Sequence, residues 1–364
     1  MKIGFDARMI RHSGIGVRIE FLLKHMLKEK DSFMKFYLFG SPEYLEQFRQ
    51  FSETEIIPYD AGIYSIRELF GHPMMKKMDL LDIPHFNIAV PYLKKSIVTV
   101  HDLTPYIMKE FFPSRLKRSY LNLIFRLIKK SASVIAVSEN TRQDLIREFK
   151  YNPNAVRVNY NAVDADVFRV HTKEETEFFR KKYSLPDKFY LTVGIGKEHK
   201  NFKFLLSCLL ELWKEKREAP PLVLAGTGGK LPDYLQELAL SADDGKLILF
   251  PRIKYEELPF LYSAADLMIF PSLYEGFGFP AVEAQASGCT VLSSNASVMP
   301  EILSDSAVYF DPKDRSSFLH SLNEIENNPE QKKILKERGF ENIKRFDWKK
   351  SAREILSLYK EIKL

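Results

Sequence analysis

The sequence is poor in cysteine and lacks long apolar runs. It holds two cysteines among 364 residues, Cys208 and Cys289, and neither belongs to a CxxC motif or a Cys/His cluster. A disulfide framework is therefore excluded, and a reducing compartment fits best. No segment approaches the roughly 20 apolar residues that span a bilayer. Asp6 interrupts the N-terminus before any apolar stretch is long enough for a signal peptide. We expect a cytoplasmic protein that touches a membrane only peripherally, at its inner face.

Charge is also modest, except in one segment. The net charge of +6 permits anionic partners but does not require nucleic acid, and none is predicted. Residues 111–130 carry six basic residues and no acidic ones. Two interpretations stay open: a basic amphipathic helix on an anionic membrane leaflet, or a scaffold helix whose apolar stripe covers a sheet. The residues concerned are Arg115, Lys117, Arg118, Arg126, Lys129 and Lys130, interleaved with Leu116, Tyr120, Leu123, Ile124, Leu127 and Ile128.

What the sequence does contain is an alternation of short apolar runs with helical patterns, from one end to the other. This alternation is typical of βαβ units and predicts an α/β protein with mainly parallel sheets. A charged segment at 166–187 divides the chain into two parts, each long enough for a doubly wound, Rossmann-like sheet. We predict domains at 1–168 and 169–347, followed by a helix at 348–364. The apolar stripe of that helix consists of Ala352, Ile355, Leu356 and Tyr359.

The most informative stretch is residues 271–284. A buried strand (Leu267–Phe270) ends there in a glycine-rich turn, Gly276-Phe277-Gly278, and Pro280 is placed to open a helix. Glu275 would lie in the loop, and Glu283 about one turn into the helix. Glycines let a ligand approach the backbone amides, and a helix N-terminus attracts anions. An ionised carboxylate accepts two hydrogen bonds, which suits the vicinal hydroxyls of a sugar.

This stretch resembles the E-x7-E motif of family 4 of the retaining glycosyltransferases, which have the GT-B fold of two facing Rossmann-like domains. The resemblance implies that the first domain binds the acceptor, that the second binds the nucleotide sugar, and that the C-terminal helix returns to the first domain. It further implies that Glu275 contacts the donor sugar and Glu283 the ribose hydroxyls. Other landmarks follow in the family's order: Ser13-Gly14-Ile15-Gly16, Val100-His101-Asp102, Val137-Ser138-Glu139-Asn140-Thr141, Asn161-Ala162-Val163-Asp164, Val193-Gly194 through Lys200-Asn201, Ala225-Gly226 and Pro300-Glu301-Ile302.

Two of these landmarks are glycine-containing loops after predicted strands. Gly14 and Gly16 are predicted to form a turn between strand Lys2–Asp6 and a helix starting near Val17, and in similar enzymes this loop borders the donor diphosphate and the acceptor. Ile19 stands where a dinucleotide fingerprint would have its third glycine, so that fingerprint is absent. The second loop contains Gly194, and Gly226 is expected to bind the donor as well.

The resemblance also assigns basic residues to the donor site. Lys200 is expected to hold the donor phosphates, because a fixed cation stabilises a departing diphosphate. Ile195 stands where many family members have arginine, so either Lys197 or His199 substitutes or the phosphate clamp is weaker. His101 is expected to reach toward the donor sugar in a positioning role, with proton transfer as an alternative.

A metal and a cofactor are not expected. Asp164-Ala165-Asp166 has the D-x-D spacing of a metal site found in another glycosyltransferase fold. It lies beyond the last predicted strand of the first domain, however, and no other cluster of metal-ligand residues accompanies it. The nucleotide sugar would be a substrate.

The predicted activity is metal-independent, retaining transfer of a hexose of mannose or glucose type. The donor would be a GDP-, UDP- or ADP-sugar, with GDP-mannose preferred, and the acceptor a glycan or lipid-linked glycan in polysaccharide biosynthesis. One alternative is a catalytically silent protein that binds sugar nucleotides. Another is a glycoside hydrolase using Glu275 and Glu283, which needs carboxyl groups about 5–5.5 Å apart for retention or about 6.5–9.5 Å apart for inversion.

Overall fold

The computed structural model describes residues 1–194 and 196–362. Within it the chain forms two compact units, the first from Met1–Ala162 together with the segment that begins at Phe346, and the second from Val163–Arg345. The sequence places these divisions after residues 168 and 347. The chain thus leaves the first unit a few residues earlier than expected and rejoins it two residues earlier.

The first unit contains a seven-stranded parallel sheet in the order β3-β2-β1-β4-β5-β6-β7. Its strands are β1 (Lys2–Asp6), β2 (Lys35–Gly40), β3 (Thr54–Pro58), β4 (Leu80–Ile83), β5 (Ser96–Val100), β6 (Ser133–Ala136) and β7 (Val156–Val158). Its helices are α1 (Ser13–Glu29), α2 (Pro42–Leu45), α3 (Ile66–Phe70), α4 (Thr104–Ile107), α5 (Arg115–Ile128) and α6 (Glu139–Phe149). The central strands β4 and β5 are buried at every residue, as expected for a parallel sheet covered on both faces.

Helix α1 begins earlier than predicted. Its first residue is Ser13, so Gly14 and Gly16 lie in the first turns of the helix and do not form a turn before it. The amide of Gly16 donates to the carbonyl of His12 over 2.7 Å. A Cβ on Gly16 would overlap the carbonyl oxygen of Ile10, so glycine is needed here for close approach of the loop before the helix. The prediction of a glycine turn was wrong because the same residue type also serves tight packing.

The second unit repeats the architecture with a six-stranded parallel sheet in the order β10-β9-β8-β11-β12-β13. Its strands are β8 (Tyr190–Val193), β9 (Leu222–Ala225), β10 (Leu247–Leu249), β11 (Leu267–Phe270), β12 (Val291–Ser294) and β13 (Val308–Phe310). Its helices are α7 (Lys173–Lys182), α8 (Phe202–Glu215), α9 (Gln236–Ala239), α10 (Leu258–Ala264), α11 (Phe279–Ala286), α12 (Met299–Leu303), α13 (Arg315–Glu326) and α14 (Pro329–Ile343). Leucines and Trp213 of α8 pack on the sheet together with Phe318 of α13.

The C-terminal helix α15 (Trp348–Glu361) belongs to the first unit, as predicted. All four residues of its predicted apolar stripe are buried. Trp348 stacks on Phe21 of α1 with ring centroids 5.6 Å apart, and the Tyr359 hydroxyl donates to Asp82 at the end of β4. The helix is therefore fastened by an aromatic stack and a buried polar contact.

Helix α5 covers the sheet, but with a different stripe from the predicted one. Leu121, Ile124, Phe125 and Ile128 are buried against the sheet. Leu116 and Leu123 are instead 83% and 55% exposed. Among the described residues, no helix is both long enough and apolar enough to cross a membrane.

Candidate active site

The second sheet has a topological switch point between β8 and β11. From β8 the strand order runs through β9 to β10, and from β11 it runs the other way through β12 to β13. The loops that leave β8 and β11 therefore diverge at their carboxyl ends and open a crevice, the position where open α/β sheets bind ligands.

The loop after β8 holds Lys200 in this crevice. The chain passes from Gly194 through a short 3-10 turn, Glu198–Lys200, and then enters α8. A Cβ on Gly194 would lie 3.8 Å from Cδ of Lys200, so the lysine side chain crosses over that glycine. The carbonyl of buried His199 accepts a hydrogen bond from the amide of Leu273 over 2.9 Å, which joins the two loops. Lys197 is exposed on the same loop, and Ile195 lies outside the described residues.

The loop after β11 holds Glu275. The Ser297 hydroxyl donates to the Glu275 carbonyl over 2.9 Å, and the Ser294 hydroxyl donates to the Ser272 carbonyl over 2.6 Å. These bonds from the neighbouring β12 region pin the loop backbone. Gly276, Phe277 and Gly278 are buried, and α11 begins directly afterwards with Pro280 in its first turn, as predicted.

The structure brings Lys200 and Glu275 together. The Lys200 ammonium donates to Oε1 of Glu275 over 2.6 Å, and the two side chains are 15% and 12% exposed. Helices α8 and α11 begin within a few residues of this ion pair, and both helix N-termini carry partial positive charge. The crevice thus combines the Lys200 ammonium, the Glu275 carboxylate and two helix N-termini.

Glu283 lies deeper, on α11. Its side chain is buried, and Oε2 accepts a hydrogen bond from the Tyr262 hydroxyl over 2.9 Å. Burial raises the pKa of Glu283 to about 7, against the hydrogen bond from Tyr262, which lowers it. Near neutral pH this carboxyl therefore exists in both protonation states.

Gly226 supports the loop after β8 from behind. Its φ is +90°, and a Cβ there would lie 2.9 Å from the Gly194 carbonyl oxygen. The requirement for glycine is thus both conformational and steric, and it holds the ends of β8 and β9 close together.

Gly226→Ala should therefore destabilise the protein more than Gly228→Ala and should also weaken nucleotide-sugar binding. Gly228 is the matched control, because its φ is +69° but a Cβ there meets nothing within 4 Å. Left-handed strain alone costs about 1–2 kcal/mol at either position. Urea unfolding and a donor titration measure the two effects. Equal losses in both variants would mean that the contact with Gly194 has no influence.

In the first unit, His101 follows β5 as predicted. Its Nε2 lies 2.8 Å from the Pro84 carbonyl, which can only accept, so Nε2 carries the proton. Burial lowers the pKa of His101 to about 4. The Thr141 hydroxyl donates to the His101 carbonyl over 3.2 Å. His101 is therefore a neutral imidazole near pH 7, and hydrogen bonds fix both its ring and its backbone carbonyl.

The first sheet has its own switch point, between β1 and β4, and sequence analysis missed the charged cluster there. Arg8 makes ion pairs with Asp6 over 2.7 Å and with Glu68 over 2.9 Å, and buried His85 lies 3.4 Å from Asp6. Although burial would raise it, Arg8 and His85 hold the pKa of Asp6 well below its usual range. The acid and base at residues 6 and 8 were a usable signal, because Asp6 ends β1 and Arg8 follows in the next turn. Nothing in the sequence indicates Glu68.

The D-x-D acids do not form part of either crevice. Oδ1 of Asp164 accepts from the Asp166 amide over 3.1 Å, and its carbonyl accepts from the Phe168 amide over 2.7 Å. Asp164 therefore closes a turn at the beginning of the second unit. Across the described part of the chain, His, Cys, Asp and Glu side chains nowhere gather in groups of three or more that could hold a metal ion.

Both halves of the chain match known protein families. Residues 173–342 match the family described as glycosyl transferases group 1, and residues 57–167 match glycosyltransferase family 4. The chain is 28% identical over 298 residues to O-antigen chain mannosyltransferase B of Escherichia coli, covering 79% of this chain and 78% of that protein. It is 26% identical over 247 residues to O-antigen chain mannosyltransferase RfbU of Salmonella typhimurium, covering 66% and 64% respectively.

The fold matches solved structures over almost the whole chain. Anabaena Alr3699/HepE, solved in complex with UDP and glucose, superposes with a TM-score of 0.75 at 17% identity, covering 99% of this chain and 100% of that one. This likeness confirms the predicted GT-B fold. The two family matches together include residues of both units. The chain therefore belongs to the family 4, group 1 glycosyltransferases and is a hexosyltransferase that uses a nucleotide-sugar donor.

Proposed function

We propose that this enzyme transfers mannose from GDP-mannose to a hydroxyl of a glycan or lipid-linked glycan, with retention of configuration and without a metal ion. The observation that carries the proposal is the Lys200–Glu275 ion pair at the switch point of the second sheet, next to two helix N-termini. In this proposal the second unit binds the donor and the first unit binds the acceptor.

Lys200 would stabilise the leaving group. A nucleotide diphosphate gains negative charge as its bond to the sugar breaks, and a fixed cation with helix N-termini can offset that charge. In the free enzyme Glu275 holds the lysine, which keeps the ammonium in place until the phosphates arrive. The acceptor hydroxyl would attack from the face that the phosphate leaves, and its proton would pass to the departing phosphate oxygen.

The glutamates would bind hydroxyls on either side of the diphosphate. Glu275, in the loop, suits the transferred sugar, and Glu283 suits the ribose. His101 fits a positioning role, because a neutral imidazole with its proton on Nε2 can accept a sugar hydroxyl at Nδ1 but is a poor acid at neutral pH. The loops that contain Gly194, Lys197, His199, Gly226 and Gly276–Gly278 would surround the phosphates.

Donor binding should strengthen as the pH rises through 7. The pKa of Glu283 is about 7. Only the ionised form accepts hydrogen bonds from both ribose hydroxyls, so kcat/KM for the donor should rise between about pH 6 and 8. Glu283→Gln should abolish this rise. Tyr262→Phe removes a hydrogen bond to the carboxylate and should shift the rise to higher pH. A profile that is identical in all three proteins would contradict the role of Glu283.

The donor is proposed from the relatives. The Escherichia coli and Salmonella typhimurium relatives are named mannosyltransferases of O-antigen chains, whereas the solved Anabaena protein holds UDP and glucose. UDP- and ADP-sugars are therefore the competing donors.

A cytoplasmic location is proposed because Cys208 and Cys289 are buried free thiols, which suits a reducing compartment.

A thermal-shift screen followed by a transfer assay tests the proposal. GDP-mannose should raise the melting temperature more than UDP-glucose or ADP-glucose, because a ligand stabilises the state that it binds. With oligosaccharide acceptors and GDP-mannose, NMR should show an α-linked product, and EDTA should leave the rate unchanged. A β-linked product would contradict retention, and loss of activity in EDTA would contradict metal independence. Release of sugar from an oligosaccharide without nucleotide would indicate a glycoside hydrolase instead of a transferase.

A further inference from the structure

One region of the first unit exposes an unusual number of large apolar side chains. Leu116 and Leu123 of α5 are 83% and 55% exposed, and Tyr64, Ile66 and Phe70 are exposed on and beside α3. Most other large apolar side chains of the first unit are buried. We call these five residues the α3/α5 surface.

The members of the α3/α5 surface are neighbours. The Tyr64 ring packs edge-on against Tyr120 of α5, with centroids 6.1 Å apart, and the Lys117 ammonium lies 5.4 Å from the centre of the Tyr64 ring. Leu116 and Leu123 flank Tyr120 at helical spacings of four and three residues, so they share its face of α5. Ile66 is two positions beyond Tyr64, and Phe70 lies four residues further along α3, on the same face of that helix. The contact of Tyr64 with Tyr120 joins α3 and α5, and we call the exposed apolar side chains on the two helices the strip.

Basic residues border the strip. The segment 111–130 contains six basic residues and no acid. Arg115 and Arg126 are exposed and lie on nearly the same side of α5, eleven residues apart, beside the leucines. Glu68 is buried against Arg8 and Asp60 pairs with Arg67, so the six basic residues outnumber the two other acids near them, Asp102 and Glu110. Cations therefore dominate the edge of the strip.

This combination indicates which partner the surface fits. A second copy of the chain would bring two basic faces together, which is unfavourable. Nucleic acid would satisfy the cations but not the exposed leucines. An anionic bilayer satisfies both, since apolar side chains enter the acyl boundary while the cations stay at the phosphate level.

We propose that the α3/α5 surface docks the first unit on a membrane that contains anionic phospholipid. The surface adjoins the switch point of the first sheet, because the Tyr64 amide donates to Glu68 over 2.9 Å and Glu68 in turn pairs with Arg8 over 2.9 Å. A lipid-linked acceptor would thus reach the first unit from the bilayer. This last step rests on the proposed glycosyl transfer, whereas docking itself does not.

Vesicle flotation of the full chain tests the docking. The protein should float with vesicles of phosphatidylcholine and phosphatidylglycerol, and not with phosphatidylcholine alone, and added salt should weaken binding. Leu116→Ser/Leu123→Ser should weaken binding about tenfold or more. Arg115→Gln/Arg126→Gln should weaken it about fivefold for each charge removed. Because all four side chains are exposed on α5, the variants should keep the wild-type melting temperature.

Leu240→Ser is the matched control, since Leu240 is 87% exposed but lies in the second unit. It should bind vesicles like the wild type. Equal binding to both kinds of vesicle, no binding at all, or equal loss in the control would overturn the proposal. So would a wild-type dimer that the leucine substitutions dissociate without any effect on vesicle binding. The donor-induced thermal shift is measured without vesicles, so it reports separately on the proposed function.

Discussion

Replacing Lys200 with alanine should lower kcat/KM for the nucleotide-sugar donor by roughly 10²–10³-fold, while the protein stays folded. The ammonium lies 2.6 Å from the Glu275 carboxylate, and the lysine side chain is only 15% exposed. Shielding from water makes its interaction with a developing phosphate charge stronger than it would be at the surface. The loss should appear mainly in kcat, because the charge on the leaving group is greater in the transition state than in the bound donor.

The Lys332–Asp266 ion pair provides the control for this experiment. It lies in the same unit, with its charges 2.9 Å apart and the side chains 19% and 29% exposed, but away from the carboxyl ends of β8 and β11. Lys332→Ala should leave kcat/KM near the wild-type value. Adding Glu275→Gln to Lys200→Ala shows whether an uncompensated carboxylate, and not the missing cation, causes the loss. Lys200→Ala with near wild-type turnover would refute the assignment of the leaving-group cation.

Replacing Arg18 with alanine should destabilise the first unit by about 3–5 kcal/mol, because several buried acceptors lose their donor at about 1–3 kcal/mol each. Arg18 is fully buried in α1. Its guanidinium donates to Oδ1 of Asn159 over 2.7 Å and to Oδ1 of Asn161 over 2.9 Å. Asn159 in turn donates to the Ser351 carbonyl of α15 over 3.1 Å. Loss of Arg18 would therefore leave buried acceptors without a donor and loosen the last helix.

Arg353→Ala is the matched control for Arg18→Ala. Arg353, on α15, pairs with Glu29, but its side chain is 62% exposed, so this substitution should cost less than about 1 kcal/mol. The midpoints of urea unfolding for the two variants measure the difference. Similar small losses in both would mean that the Arg18 network does not fasten α15.

Burial raises the pKa of Asp82, which accepts a hydrogen bond from Tyr359, to about 6. Its folded state binds protons more tightly than its unfolded state, so stability should fall as the pH rises from about 4 to 6.

The fold was predictable from local signals. Apolar runs of strand length alternate with helical patterns, and parallel strands buried on both faces admit few other arrangements. The glycine turn, the proline and the helix at 271–284 were likewise predictable from the sequence, because each uses a residue type with a specific backbone preference. Family landmarks then assigned candidate roles to Lys200, Glu275, Glu283 and His101.

The start of α1 could not be derived this way. Glycine permits a turn, but it also permits tight packing, and the sequence does not distinguish the two uses at Gly16. Leu116 and Leu123 of α5 were wrongly placed in the buried stripe for a related reason. Apolar residues lie on two faces of this helix, so their spacing does not show which face is buried.

The sequence alone determined that this protein has two parallel α/β units, because strand and turn preferences act over a few neighbouring residues. Only the tertiary structure decided that Lys200 meets Glu275 across 75 residues, that Glu68 meets Arg8, and that Tyr262 donates to Glu283. Such pairings depend on strand order and loop closure, which bring distant side chains to the same sheet edge and bury them beside one another.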